Sequence, residues 1–155
     1  MQKIVLGAIG RVSSPVTKGR DENWGTVVAE IRLDDSRFEP ACVSGLEEFS
    51  HVEVVFVFDQ LSENEIETGT RHPRENPLWP KVGIFAQRGR KRPNRLGATI
   101  CELVSIEGLA IRVRGLDAFD GSPVVDLKPI MREFLPDPGS IRQPQWSREL
   151  MSTYF

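Results

Sequence analysis

His51-Val52-Glu53-Val54-Val55-Phe56-Val57-Phe58-Asp59 alternates like an extended strand. Val52, Val54, Phe56 and Phe58 fall on one face, and Glu53, Val55, Val57 and Asp59 on the other. A strand apolar on nearly both faces needs cover on both, so this one is expected at the centre of the fold. Moving outward, Thr26 to Leu33 alternates as cleanly: Val27, Ala29, Ile31 and Leu33 oppose Val28, Glu30 and Arg32. Met1 to Val12 reads as a curved first strand with glycines at Gly7 and Gly10. Val82 to Ala86 reads as a short strand, and Ser122 to Lys128 as a last one after an Asp120-Gly121 turn. Ala98 to Ile106 and Leu109 to Leu116 form a hairpin across Glu107-Gly108.

Helical signals are short, at Ser44 to Phe49 and Ser62 to Glu67. Many strands with brief connections predict a mainly all-β, barrel-like single domain with a few short helices. The expected domain spans 1–135, followed by an irregular tail over 136–155 that is rich in Pro and Gly at its start. The hairpin holds one oddity. With Glu107-Gly108 at its tip, Val104 pairs Ile111 and Glu102 pairs Val113, which sets a carboxylate among Ile100, Val104, Ile106 and Ile111. A one-residue slip would move Glu102 to the wet face instead, and the sequence leaves both registers open.

Composition narrows the class. The chain has 155 residues, 39% hydrophobic and 27% charged, enough for one soluble domain with a true core. No apolar run approaches a membrane span and the start lacks signal-peptide blocks, so the expected location is the cytoplasm, with no membrane partner. Cys42 and Cys101 are too few for a disulfide framework, and His51 and His72 lack ligand spacing, so no metal is expected. No G-x-G-x-x-G follows a strand, which argues against a Rossmann unit.

Charge is unevenly spread. Arg71 to Arg95 holds eight cations and one acid, Glu75, a net +7 in a chain of net −2, which leaves −9 elsewhere. Its densest part is Arg88-Gly89-Arg90-Lys91-Arg92-Pro93-Asn94-Arg95. Pro93 forbids a regular helix there, and like charges this dense repel unless a ligand offsets them. Phosphate is the first candidate, because the guanidinium fork matches its oxygens.

Three phrases complete the reading: Gly83-Ile84-Phe85-Ala86-Gln87-Arg88, Arg92-Pro93-Asn94-Arg95-Leu96-Gly97, and Asp120-Gly121-Ser122-Pro123-Val124-Val125-Asp126-Leu127-Lys128-Pro129. With the opening Ile9-Gly10-Arg11-Val12-Ser13-Ser14-Pro15, they make the chain resemble the TsaA-like family, which includes the TrmO-type tRNA methyltransferases. The resemblance covers roughly Lys3 to Ile130. It implies a β-barrel-like domain that binds S-adenosylmethionine (SAM), works as a homodimer, and methylates N6 of threonylcarbamoyladenosine beside the tRNA anticodon. The resemblance also implies a further C-terminal domain in bacterial members, which is not expected within these 155 residues, and Pro where this chain has Arg95. Two alternatives therefore stay open: a small-molecule methyltransferase, and a non-catalytic SAM- or RNA-binding module.

The resemblance also assigns candidate residues. Asp120, Gly121, Ser122 and Pro123 form a turn whose amides and carboxylate would face the cofactor. Asp59 and Gln60 end the central strand, Arg88 could grip the SAM carboxylate, and Leu103 would wall the adenine. Trp24 and Gly25 would approach from the N-terminal side, although a loop Trp also serves as a lid on a core. Arg90, Lys91, Arg92, Asn94 and Arg95 are the expected RNA-phosphate side. Trp79 and Trp146 read as packing residues. Asp59, Glu102 and Asp120 are the carboxylates that could accept a proton, and none is singled out as catalytic.

Overall fold

The structure, a computed structural model, describes residues 2–155. Six strands close into an antiparallel barrel: β1 (Gly10–Ser13), β2 (Val28–Leu33), β3 (His51–Val57), β6 (Leu96–Glu107), β7 (Ala110–Arg114) and β8 (Pro123–Pro129), in the order β1-β2-β7-β6-β3-β8. β4 (Thr70–Arg71) and β5 (Val82–Gly83) make a separate two-stranded ribbon. β3 lies between β6 and β8, as its two-faced apolarity demands. The alternating set Val52, Val54 and Phe56 is fully buried in the barrel beside Ile31, Ile111, Val113 and Val124. A barrel this small is filled by its own inward side chains rather than enclosing a channel, so any ligand site lies at its rim.

Several expectations change at element ends. Met1 lies outside the described residues, and the first strand begins only at Gly10. Its glycine is needed there, since a Cβ at Gly10 would meet the Arg32 carbonyl of β2. The Thr26 strand starts at Val28, because Trp24–Thr26 turns as a 3-10 helix. The Val82–Ala86 strand is two residues long, and Ile84–Ala86 is a 3-10 turn. The tail is not irregular throughout: α1 (Gln145–Met151) forms within it, and Asn23 and Trp24 donate backbone bonds to Thr153 and Tyr154. The Trp79 indole, expected to pack, also donates to Glu149 of α1 at 2.8 Å, which fastens the tail.

The hairpin tip differs from the expected Glu107-Gly108, and the pairing decides between the two registers left open. The tip is Gly108-Leu109, with Glu107 opposite Ala110 and Ile106 opposite Ile111. The pairing then shifts between Leu103 and Ser105, a β-bulge at Val104 that lets both Leu103 and Ile106 pack inward. Glu102 consequently faces solvent opposite Arg114, whose Nη1 donates to it at 2.6 Å. The slipped register removes the buried carboxylate.

Candidate functional site

The end of β3 opens into a cleft of about 280 Å³. Phe58, Leu61 and Phe119 supply its apolar surface. Asp59 and Glu65 bring carboxylates to it, Lys18 and Arg90 cations, and Gln60 and Ser122 neutral polar groups. Phe58 to Leu61 lie there because the strand ends in a turn in which Leu61 donates its amide to the Phe58 carbonyl. Glu65 is fixed by a capping box. The Ser62 hydroxyl and amide both donate to its carboxylate, the hydroxyl at 2.7 Å, and hold it below the usual carboxylate range. It therefore stays charged at neutral pH.

Opposite stands the turn Phe119-Asp120-Gly121-Ser122, closed by a Ser122 N–H to Phe119 carbonyl bond, with Gly121 at φ +80°. The expectation that its amides face a ligand does not hold. Asp120 donates its amide to Val16, Gly121 to Val12 and Ser122 to Phe119. One Asp120 oxygen accepts from the Ser14 amide at 3.0 Å, and the Asp120 carbonyl accepts from Gln60 Nε2 at 3.4 Å. The turn is thus a clamp joining the chain before β8 to the chain after β1, and it delivers the Ser122 side chain to the cleft. Pro123 opens β8 opposite Arg11.

Of the other expected cofactor contacts, Asp59 and Gln60 line the cleft and Arg88 does not: its Nη2 donates to the Ala98 carbonyl at 2.6 Å. Arg90, expected on the RNA side, is the cation of the stretch that lines the cleft. Leu103 lies at the far end of β3, its amide bonded to the Ser50 carbonyl, and packs on the barrel core. Trp24 is buried in a second small core with Val16 and Val27 and stacks tilted on Phe119 at 6.0 Å, so it supports the cleft wall from behind. Gly25 lies against the C-terminus, where a Cβ would come within 2.7 Å of the Phe155 carbonyl carbon.

The basic stretch is largely self-satisfied. Lys91 pairs with Glu75 at 3.3 Å, and Arg71 pairs with the same carboxylate. Arg92 donates to the Gln87 carbonyl and lies over the Phe85 ring. Arg95 Nη1 donates to the Leu61 carbonyl at 2.8 Å. Arg90 and Asn94 are exposed. Among the carboxylates, Glu102 is at the other end of β3 with Arg114 and Asp120 holds Ser14, which leaves Asp59 and Glu65 in the cleft.

The cleft residues missed in the sequence are Lys18, Gly19, Phe58, Leu61, Glu65 and Phe119. Phe119 directly precedes the Asp120-Gly121-Ser122-Pro123 phrase and Lys18 lies shortly after the Ile9–Pro15 phrase, but only the clamp between Ser14 and Asp120 shows that the two segments meet. Among the described residues no cluster of His, Cys, Asp and Glu has metal-holding geometry, and no helix is long and apolar enough to cross a membrane.

The family model for the tRNA-methyltransferase O N-terminal domain matches residues 20–134. The chain belongs to that family. Over 131 residues it is 42% identical to a probable S-adenosyl-L-methionine-binding protein of Methanothermobacter thermautotrophicus, covering 82% of this chain and 90% of that one. It is 39% identical over 114 residues to the tRNA (adenine(37)-N6)-methyltransferase of Escherichia coli K12, covering 70% of this chain and 48% of the relative. The human protein of the same description is 38% identical over 100 residues, 64% of this chain and 22% of the relative. The chain therefore spans about half of the bacterial enzyme and about a fifth of the human one. The crystal structure of TrmO from Pseudomonas aeruginosa superposes with a TM-score of 0.74 at 23% identity, over 94% of this chain and 62% of that one, and shares the fold.

Within this family the resemblance expects Pro at position 95. Here Arg95 has φ +52°, a left-handed backbone closed to the proline ring, which locks φ near −65°.

Proposed function

We propose that the domain binds SAM in the cleft at the end of β3 and transfers its methyl group to N6 of threonylcarbamoyladenosine beside a tRNA anticodon. The observation that supports this best is the mixed chemistry of the cleft: aromatic and aliphatic walls with carboxylates and cations side by side. SAM carries the same mixture: an adenine, a ribose diol, a cationic sulfonium and amine, and a carboxylate. Phe119, Phe58 and Leu61 suit the adenine; Asp59 and Glu65 suit the hydroxyls or cationic centres; Lys18 and Arg90 suit the carboxylate; the Ser122 hydroxyl is an adaptable donor or acceptor. SAM supplies an electrophilic methyl group on sulfur. The domain's share is to align the acceptor with it and exclude water. Asp59, at the cleft and exposed, is the carboxylate available to take the N6 proton.

A volume of about 280 Å³ lies just under the roughly 300 Å³ at which ligand pockets begin. A second wall from another copy fits the proposal of a homodimer acting in the cytoplasm. Leu78, at 89% exposure, is an apolar side chain open to a partner elsewhere on the surface.

The test is turnover with methyl-labelled SAM on total tRNA, beside calorimetry of SAM binding to wild type and Asp59→Ala. Label in tRNA, and SAM affinity weakened by the substitution, are expected. The near full-length match to a protein described only as SAM-binding favours a second reading, a non-catalytic module. SAM binding without label in any acceptor would establish that reading. Label in a small molecule alone would make the domain a small-molecule methyltransferase. Undiminished SAM affinity in Asp59→Ala would move the site elsewhere.

A further inference from the structure

A second basic surface is written into the sequence at every other residue and becomes visible only when strands pair. On the outer face of β1, β2 and β7, Arg11 stands opposite Arg32, Ser13 opposite Glu30, Glu30 opposite Arg112, and Val28 opposite Arg114. Four arginines thus share one sheet face with a single acid, Glu30, in a chain of net −2. The neighbouring outward acid, Glu102 on β6, is held by Arg114. The opposite side of the barrel carries Glu53 and Asp126 on β3 and β8, with Lys128 paired to Asp126.

Two features separate this face from an ordinary charged sheet surface. The first is stoichiometry. Glu30 accepts from Arg32 at 2.6 Å and from Arg112 at 3.2 Å, and the two guanidiniums together hold it below the usual carboxylate range. One acid satisfies neither arginine fully: Arg32 keeps 73% of its side chain exposed and Arg112 53%, while Glu30 keeps 17%. The shared carboxylate orients both forks over a shallow groove of about 300 Å³ lined by Ser13, Val28, Glu30, Arg32 and Arg112. The second is register. Arg11 and Arg32 are direct cross-strand partners, and like charges placed so repel. An anion lying between them would turn that repulsion into attraction.

The face also leads to the cleft. Arg11 Nη1 donates to the Gly121 carbonyl at 3.0 Å, and Ser122, the next residue, lines the cleft. A track of guanidiniums therefore runs from the cleft rim across three strands, about 10 Å of surface at ordinary strand spacing.

We propose that the outer face of β1-β2-β7, carried by Arg11, Arg32, Arg112 and Arg114, binds the sugar–phosphate backbone of the RNA whose base enters the cleft. This rests on the RNA reading of that cleft. Forked guanidiniums match phosphate oxygens, and the face lacks the aromatic and aliphatic anchors of a lipid-binding surface, Val28 being its one large apolar side chain. It also complements the Arg88–Arg95 stretch, whose Lys91, Arg92 and Arg95 bond to Glu75 and to the Gln87 and Leu61 carbonyls.

The experiment is a titration of total tRNA at several salt concentrations with wild type, Arg32→Gln/Arg112→Gln and Arg32→Lys/Arg112→Lys. SAM calorimetry and thermal melting accompany each protein. The glutamine variant should bind tRNA roughly tenfold more weakly at low salt, and its log–log salt slope should fall by about 1.4 to 1.8, the loss of two phosphate contacts. SAM affinity should be unchanged, and the lysine variant should recover most of the slope. If the glutamine variant melts early, the single Arg114→Gln variant carries the test, with a slope loss of about 0.7 to 0.9. Wild-type tRNA affinity and slope in the folded variants would overturn the proposal and leave the cleft reading standing. No tRNA binding by wild type would overturn both. Loss of binding to phosphatidylserine vesicles with tRNA binding intact would assign the face to membrane and overturn the RNA proposal.

Discussion

Phe56 and Gly97 face each other across β3 and β6, and the Phe56 ring lies flat over the place where a side chain would start. A Cβ at Gly97 would come within 2.7 Å of the ring Cε1 and closer still to Cζ. Phe56 is fully buried and cannot yield. Gly97→Ala should therefore lower stability by about 1 to 3 kcal/mol, read as a shift of the urea midpoint. The glycine of Arg92-Pro93-Asn94-Arg95-Leu96-Gly97 was legible as part of a motif, but its reason was not, because the ring that demands it sits on another strand. Arg95 shows the converse. Its φ of +52°, its amide bond to the Arg92 carbonyl and its fork on the Leu61 carbonyl all oppose proline. Arg95→Pro should cost about 3 kcal/mol or more in the same assay, while Arg95→Asn, which tolerates a left-handed backbone, should lose only the guanidinium bond, about 1 kcal/mol.

At the level of elements, alternation revealed which residues of β2 and β3 face inward, because both strands run without interruption. It left the two faces of β6 undecided, because a single unpaired residue at Val104 exchanges them and leaves no mark in the pattern. The C-terminal element was missed for another reason. α1 is seven residues long, too short to show a helical period, and is held by distant partners. The Tyr154 hydroxyl donates to Asp117, which also accepts from Thr99 of β6. Burial and the adjacent Asp117 charge push the Tyr154 hydroxyl far above its ordinary range. Tyr154→Phe removes one donor from a half-buried carboxylate and should cost about 1 to 3 kcal/mol. Its mark is local: hydrogen exchange should quicken at the amides of Asn23 and Trp24, which bond to Thr153 and Tyr154. Unchanged protection there would show that the segment docks without the tyrosine.

For the molecule as a whole, a buried thiol and a partly buried phenol, both near the Asp117 charge that joins barrel and tail, give the fold a weakness to alkali. Burial first, and then the Asp117 charge, push the Cys101 thiol from an ordinary 9.0 up to about 12. Tyr154 is raised by the same two causes. Both groups hold their protons more tightly in the folded chain than in the unfolded one. Their contribution is therefore fully present below pH 9 and is lost as pH rises toward about 12, where the unfolded chain has shed protons that the folded chain keeps. At about 1.4 kcal/mol per pH unit, the thiol alone sets an upper bound on the order of 4 kcal/mol across that window. The melting temperature should hold level from neutrality to about pH 9 and then fall steeply. Cys101→Ala would melt lower at pH 7, having lost a packed sulfur, yet its decline above pH 9 should be shallower than that of the wild type. Parallel declines in the two proteins would show that the thiol stays wet enough to ionise in the folded state.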